Sequence, residues 1–240
     1  MDQTIPTASV QRADVSQCIE TVTGHIVDVN DPQPETIDVT DIAWALSRMP
    51  RFIGHTITQI PYNNAQHSVY VAKIVEQMMT KPGDLLDIIP VEVQTAVTQY
   101  LNHVGQHPQC TLNLIIQRAL FHDAAEAYTG DIPSPVKRNP QLRPAIKAIE
   151  AKLDDAIFTR LGINSKLGQI DVIVKFADHV AQAIEGYQFM PSRGVNWVLP
   201  KPNLSLIQNF PEPKPSFDAY RDFLDHYEFV NDMHDGYGGR

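Results

Sequence analysis

The sequence predicts an all-α, single-domain protein, and three observations carry that prediction. Apolar residues recur at helical spacing in segment after segment, with polar residues between them. Only one stretch, GHIVDV at 24–29, alternates in the manner of a strand. At 240 residues, with 43% apolar and 20% charged side chains, the chain has the length and composition of one sizeable hydrophobic core.

Taken in order, residues 1–20 are polar and weakly patterned, readable as disorder or a surface strand. GHIVDV follows as a short strand or hairpin arm, and DPQPE at 31–35 is a turn. Asp38, Thr40 or Asp41 caps a short helix through IAWALSRM, with Ile42, Ala45, Leu46 and Met49 on one face. RFIGHT and QIPYNN make a loop or short hairpin, and Asn63 or Asn64 caps a helix over 65–79. His67, Val71, Ile74, Val75 and Met78 share one stripe of that helix, so His67 is expected to face the core.

KPGD at 81–84 breaks the helix, and further helices are expected over 91–103 and about 111–128. The last is apolar from Leu112 to Phe121 and ends in the polar run HDAAEAYTGD. An amphipathic helix over 141–161 carries Leu142, Ile146, Ile149, Leu153, Ile157 and Leu161, and Gly162 stops it. Ile170, Val174, Ala177, Ala181 and Ile184 form the apolar face of a helix over 170–190, with Asp178 and Glu185 at its edge. A Pro-rich arm spans 191–215, readable as a long surface loop or a β-arm, and a last helix covers 216–230 before a frayed Gly-rich end. The core is placed at about 40–190, with 191–240 as a C-terminal extension.

Composition also excludes. A net charge of -9 argues against a nucleic-acid duplex as partner, and an anionic substrate would need a local positive site. Cys18 and Cys110 are the only cysteines and make no disulfide framework. No apolar run is long enough to span a membrane. A cytoplasmic location is expected.

Three core-facing helices carry ligand-type side chains: His67, then His122 with Asp123, then Asp178. Two imidazoles and two carboxylates suit a divalent transition metal with positions left open. Adjacent His122 and Asp123 point about 100° apart on a helix, so both reach one ion only at a seam between helices. Read singly, His67 is more often an ordinary core histidine and Asp178 a surface acid. His25, His55, His103 and His107 show no evident partner and are read as surface or loop residues.

AQHS at 65–68, HDAAEAYTGDIPSPVK at 122–137 and KFADHVAQAIE at 175–185 resemble the three motifs of the HD-domain metal-dependent phosphohydrolase superfamily. The resemblance covers about 48–186 and is greatest to bacterial 5'-deoxynucleotidases and phage dATP triphosphohydrolases. It implies an HD-type helical bundle and one divalent metal on His67, His122, Asp123 and Asp178. Zn, Co or Mn leads, with Fe, Ni and Mg as further candidates. No histidine lies between Asp123 and Asp178, which favours a mononuclear site.

By the same resemblance Arg51 matches an Arg-aromatic pair, with Arg48 as the competing match, and Phe52 stands where Trp is frequent. Glu126, one turn after His122, is expected to be the general base. Asp131 positions water or sugar, or is simply a turn residue. Arg51 and Lys137 bind phosphate, Pro133 and Pro135 stiffen the loop, and Phe52 and Ile53 stack on the base or pack ordinarily. The implied reaction is attack of water on the 5' α-phosphorus. Lys137, Arg138, Arg143 and Lys147 tilt the reading slightly from a deoxynucleoside monophosphate to a triphosphate. An alarmone hydrolase and a non-catalytic metal and nucleotide sensor are the rivals. The partner is a nucleotide, and a homo-oligomer is expected from the relatives.

Overall fold

The computed structural model describes residues 15–81, 89–106, 112–163, 167–197 and 211–237. Strands β1 (Cys18–Glu20) and β2 (Ile26–Asp28) pair antiparallel, with Ile19 opposite Val27. The strand expected at 24–29 is therefore the second arm of a hairpin. His25 is not partnerless: its Nδ1 lies 2.9 Å from Thr23 Oγ1 and 3.5 Å from the buried Asp41.

Helix α1 (Val39–Leu46) starts where Asp38 accepts the Thr40 amide at 2.7 Å, satisfying one orphan donor of the first turn. A bridge between Pro50 and Asn63 closes the next loop, which contains the 3-10 turn Arg51–Gly54. Helix α2 (Asn64–Thr80) follows, and the Asn63 side chain caps it by accepting the Gln66 amide. Every residue from Asn64 to Ala72 is buried, four of them polar, so this first half has to find partners inside the protein. Gln66, for instance, donates to the Glu212 carbonyl at 2.6 Å and ties the end of the Pro-rich arm to α2.

Helix α3 (Val91–Gln106) is followed by α4 (Leu112–Leu120), which is shorter than the expected 111–128. From His122 to Tyr128 several backbone bonds tighten to i→i+3, as in Ala124 to Phe121 and Glu126 to Asp123. The chain then resumes as the single turn α5 (Glu126–Thr129). Gly130 turns it with φ of +76°, a conformation that costs a side-chain-bearing residue strain, and α6 (Ser134–Lys137) follows.

Helices α7 (Arg143–Arg160), α8 (Gly168–Phe189) and α9 (Ser216–Tyr237) complete the described architecture. On α7 only Leu153 and Ile157 of the expected stripe are fully buried, and Leu142 is exposed. On α8 the whole expected face is buried, and so is Glu185, placed at the edge by its sequence pattern. The central layer is α2, flanked by α4, α8 and α9, with α3 against α8 and α1 against α9. The fold is thus an all-α bundle with one small antiparallel hairpin among the described residues. Phe121 meets Phe223 and Tyr227 edge-on, joining the end of α4 to α9. No helix among the described residues is long and apolar enough to cross a membrane.

On α9, His226 is buried, and burial, aided by the charge of Lys73, pushes its imidazole down to about 4 from 6.5. The unfolded chain binds that proton more readily, so protonation favours unfolding as pH falls from 6.5 towards 4. This histidine is expected to add a slope approaching about 1.4 kcal/mol per pH unit in that window. Denaturant titrations should show the difference in stability between wild type and His226→Phe changing with pH there, and an unchanging difference would contradict the assignment.

Candidate metal centre

Both histidines are oriented by their Nδ1 atoms. His67 Nδ1 lies 2.7 Å from Glu185 Oε1 on α8, and His122 Nδ1 lies 2.8 Å from the Ala119 carbonyl. A carbonyl only accepts, so His122 Nδ1 carries the proton and donates, leaving Nε2 with its lone pair free. His67 Nδ1 likewise donates to the Glu185 carboxylate, which leaves Nε2 as the atom turned toward the ligand cluster. The two rings approach with centroids 5.1 Å apart, and both Nε2 atoms are buried without a hydrogen-bond partner.

Carboxylates close around those two atoms. Asp178 Oδ1 lies 3.2 Å from His67 Nε2 and 3.9 Å from His122 Nε2. Asp123 Oδ2 lies 3.7 Å and 3.2 Å from the same atoms. One ligand atom each from His67, His122 and Asp178 fits within 4.8 Å of the others, the spread expected of donors that can share an ion. The break after α4 lets His122 and Asp123 turn toward one point, which a continuous helix would resist. Two orphaned imidazole nitrogens beside two carboxylates fit a divalent cation of the transition series.

The electrostatics favour positive charge at this point. Burial and Arg51 push the His67 imidazole down, but Glu185 and Asp178 outweigh them and raise it to about 9. Burial would raise the Asp123 carboxyl, yet His122, His67 and Arg51 hold it well below the usual carboxylate range. Of the two competing arginines, Arg51 belongs to the site: it is buried, 3.5 Å from Asp123 and 3.6 Å from Glu185. Arg48 is exposed and stacks on Trp44.

Glu126 lies beside the ligand cluster and is buried. Its Oε2 accepts from Asn64 Nδ2 at 2.7 Å, and its Oε1 from Lys137 Nζ at 2.8 Å. Burial, with Asp123 and Asp131 adding negative charge, pushes its carboxyl up to about 7 although Lys137 pulls the other way. Lys137 also lies 2.8 Å from Glu150 Oε1 on α7. Asp131 is half-buried just after Gly130, and Pro135 is exposed.

Phe52 and Ile53 both have φ of 55°, which bulky and β-branched side chains rarely adopt. The Phe52 ring stacks 5.5 Å from Trp197, whereas Ile53 is 62% exposed. Trp197 in turn covers Gly186, where an added Cβ would lie 2.6 Å from the indole.

Sequence reasoning missed Asn64, Glu185, Glu150 and Asp154. Asp154 is raised to about 7 by burial, with Arg118 opposing and Glu150 and Asp123 adding to it. Their spacing gave one usable signal: Glu150 and Asp154 lie four apart on the face of α7 that carries Leu153 and Ile157.

The arrangement could hold a divalent cation among two imidazoles and two carboxylates, and comparisons with known proteins show what the chain is similar to. Residues 91–190 match the family described as 5'-deoxynucleotidase YfbR-like. The chain is 29% identical over 167 residues to the uncharacterized protein YfdR of Escherichia coli, covering 70% of this chain and 69% of the relative. It is 26% identical over 168 residues to an uncharacterized protein of Rhodobacter capsulatus, covering 70% of each.

Because Glu185 fixes the His67 tautomer and strengthens Nε2 as a donor, its charge should matter to metal affinity. Glu185→Gln keeps the shape and is expected to weaken Co²⁺ binding about 10- to 100-fold in calorimetry of the chelator-stripped protein. Unchanged affinity would rule out that role.

Proposed function

We propose that the protein hydrolyses deoxynucleoside 5'-monophosphates to deoxynucleoside and phosphate, using one divalent metal on His67, His122, Asp123 and Asp178. The observation that carries this reading is the pair of buried, unpartnered Nε2 atoms facing Asp123 and Asp178, with Glu126 beside them. When bound, the cation polarises a phosphoryl oxygen and offsets the charge that develops on it.

The remaining work falls to the chain. Glu126 takes a proton from water as the water oxygen forms its bond to phosphorus and the P–O5' bond breaks. The same carboxyl then returns the proton to the leaving 5' oxygen. A carboxyl raised to about 7 is a stronger base than an ordinary glutamate and is still largely ionised above neutrality. Arg51 keeps its charge between Asp123 and Glu185 and offers guanidinium N–H groups to phosphate. Asp131 accepts from a sugar hydroxyl, Phe52 and Ile53 border the base, and Pro135 stiffens the loop that carries Lys137.

Lys137 supports the monophosphate over the triphosphate. Its ammonium already sits between Glu126 and Glu150, so it is engaged rather than free for a phosphate tail. The triphosphate stays as the second reading, supported by the exposed cations Arg138, Arg143 and Lys147.

Incubation with each dNMP, each dNTP and a guanosine alarmone, with Mn²⁺, Co²⁺ or Zn²⁺, separates the readings by product. Phosphate released from dNMPs is the expected result, triphosphate from dNTPs would reverse the order, and no turnover would remove the nucleotidase reading. Glu126→Gln should lower kcat by about 10²- to 10⁴-fold while metal content stays whole. In wild type, kcat should fall with acidification through about 7, where Glu126 gains its proton. A flat profile from pH 8 to 5 would contradict Glu126 as the base.

A further inference from the structure

We infer that Asn64 is the positioning residue for Glu126, and that its other amide end receives a hydrogen of the attacking water. The inference rests on the reading of Glu126 as general base and deepens it. Asn64 opens α2, three residues before His67, and is fully buried. Its Nδ2 donates to Glu126 Oε2 at 2.7 Å, while Lys137 Nζ donates to Oε1. Each carboxylate oxygen therefore has one donor, and the two donors come from different elements of the fold. That pins a side chain with three rotatable bonds.

The two donors are not equivalent. Lys137 brings a full charge, which stabilises the carboxylate and weakens it as a base. Asn64 holds the other oxygen with a neutral amide, so it fixes geometry at less cost in basicity. It also ties the base to the helix that carries His67, setting the distance between water-activating group and metal ligand within one rigid element.

The second half of the inference comes from the amide oxygen. An ionised carboxylate only accepts, so the nitrogen of Asn64 faces Glu126 and Oδ1 points away from it. Asn64 Oδ1 is buried and has no hydrogen-bond partner. A buried acceptor left open is unfavourable and rare enough to need a reason. Nδ2 and Oδ1 share one carbon, so a water held by Oδ1 can also reach the carboxylate that Nδ2 holds. Water has two hydrogens. One goes to Glu126 and the other is directed to Asn64 Oδ1, which aims the oxygen lone pair at phosphorus.

Asn64→Leu keeps the volume and removes both functions. It is expected to lower kcat about 10- to 100-fold with KM within about threefold. Co²⁺ affinity should stay at the wild-type value even as loss of the buried pair lowers the thermal midpoint, whereas a merely structural role at the start of α2 would disturb the His67 ligand and lower Co²⁺ affinity as well. Asn64→Asp, an isostere that folds in the same space, sets a second carboxylate against Glu126 and should move the acid limb of the pH–kcat profile upward. Turnover within twofold of wild type in Asn64→Leu, or an equal loss of Co²⁺ affinity, would overturn the inference. If wild type turns over no nucleotide, the nucleotidase reading fails by itself. The pairing is then read by carbon NMR titration of Glu126 in metal-free protein. A higher pKa in Asn64→Leu supports the pairing, and an unchanged one removes it.

Discussion

Two imidazole nitrogens in the protein interior, each turned inward and neither given a hydrogen-bond partner, set the terms for the rest of the structure. Their orientation is fixed from behind, by Glu185 for His67 and by the Ala119 carbonyl for His122. Leaving such atoms bare inside a fold is costly, and the carboxylates of Asp123 and Asp178 next to them would be costlier still on their own. A divalent cation resolves both problems at once. The polar, wholly buried start of α2 and the break after α4 make structural sense as consequences of that requirement.

The same demand explains how charge is distributed around the centre. Asp123, Asp178, Glu185 and Glu126 are four acids in one neighbourhood, and two basic side chains counter them. Arg51 lies between Asp123 and Glu185, and Lys137 between Glu126 and Glu150. Both cations are therefore partly committed within the protein. On the proposed reading, a compact phosphate met by Arg51 fits this balance better than a long anionic tail, which would have to take Lys137 from its acids. The overall charge of -9 adds to the same preference.

Much of this was legible in the amino-acid pattern because helices bury one stripe and the stripe shows as a period. The inward face of α8 and the Asp38 and Asn63 caps follow from that logic. The interruption at 121–125 did not show, since Phe121, Ala124 and Ala125 continue the apolar density that signals an unbroken helix. Glu185 looked like an edge acid because its burial depends on Arg51 and His67, which lie far away in the chain. Asn63 and Asn64 were interchangeable as caps until the fold placed Glu126, 62 positions on, against the second of them. For the segment holding strand β1 the sequence left disorder and a surface strand both open, because three residues are too few to establish alternation. What sequence hides here is the long-range pairing of polar groups, and that pairing is where the chemistry resides.

The central claim is that His67, His122, Asp123 and Asp178 surround a single divalent ion. Anomalous diffraction from crystals grown with Co²⁺, recorded on both sides of the cobalt edge, tests it without recourse to any substrate. The account predicts one strong peak bounded by the Nε2 atoms of His67 and His122 and the carboxylates of Asp123 and Asp178. A well-ordered crystal with no peak between those four side chains, or with cobalt bound elsewhere, would contradict it.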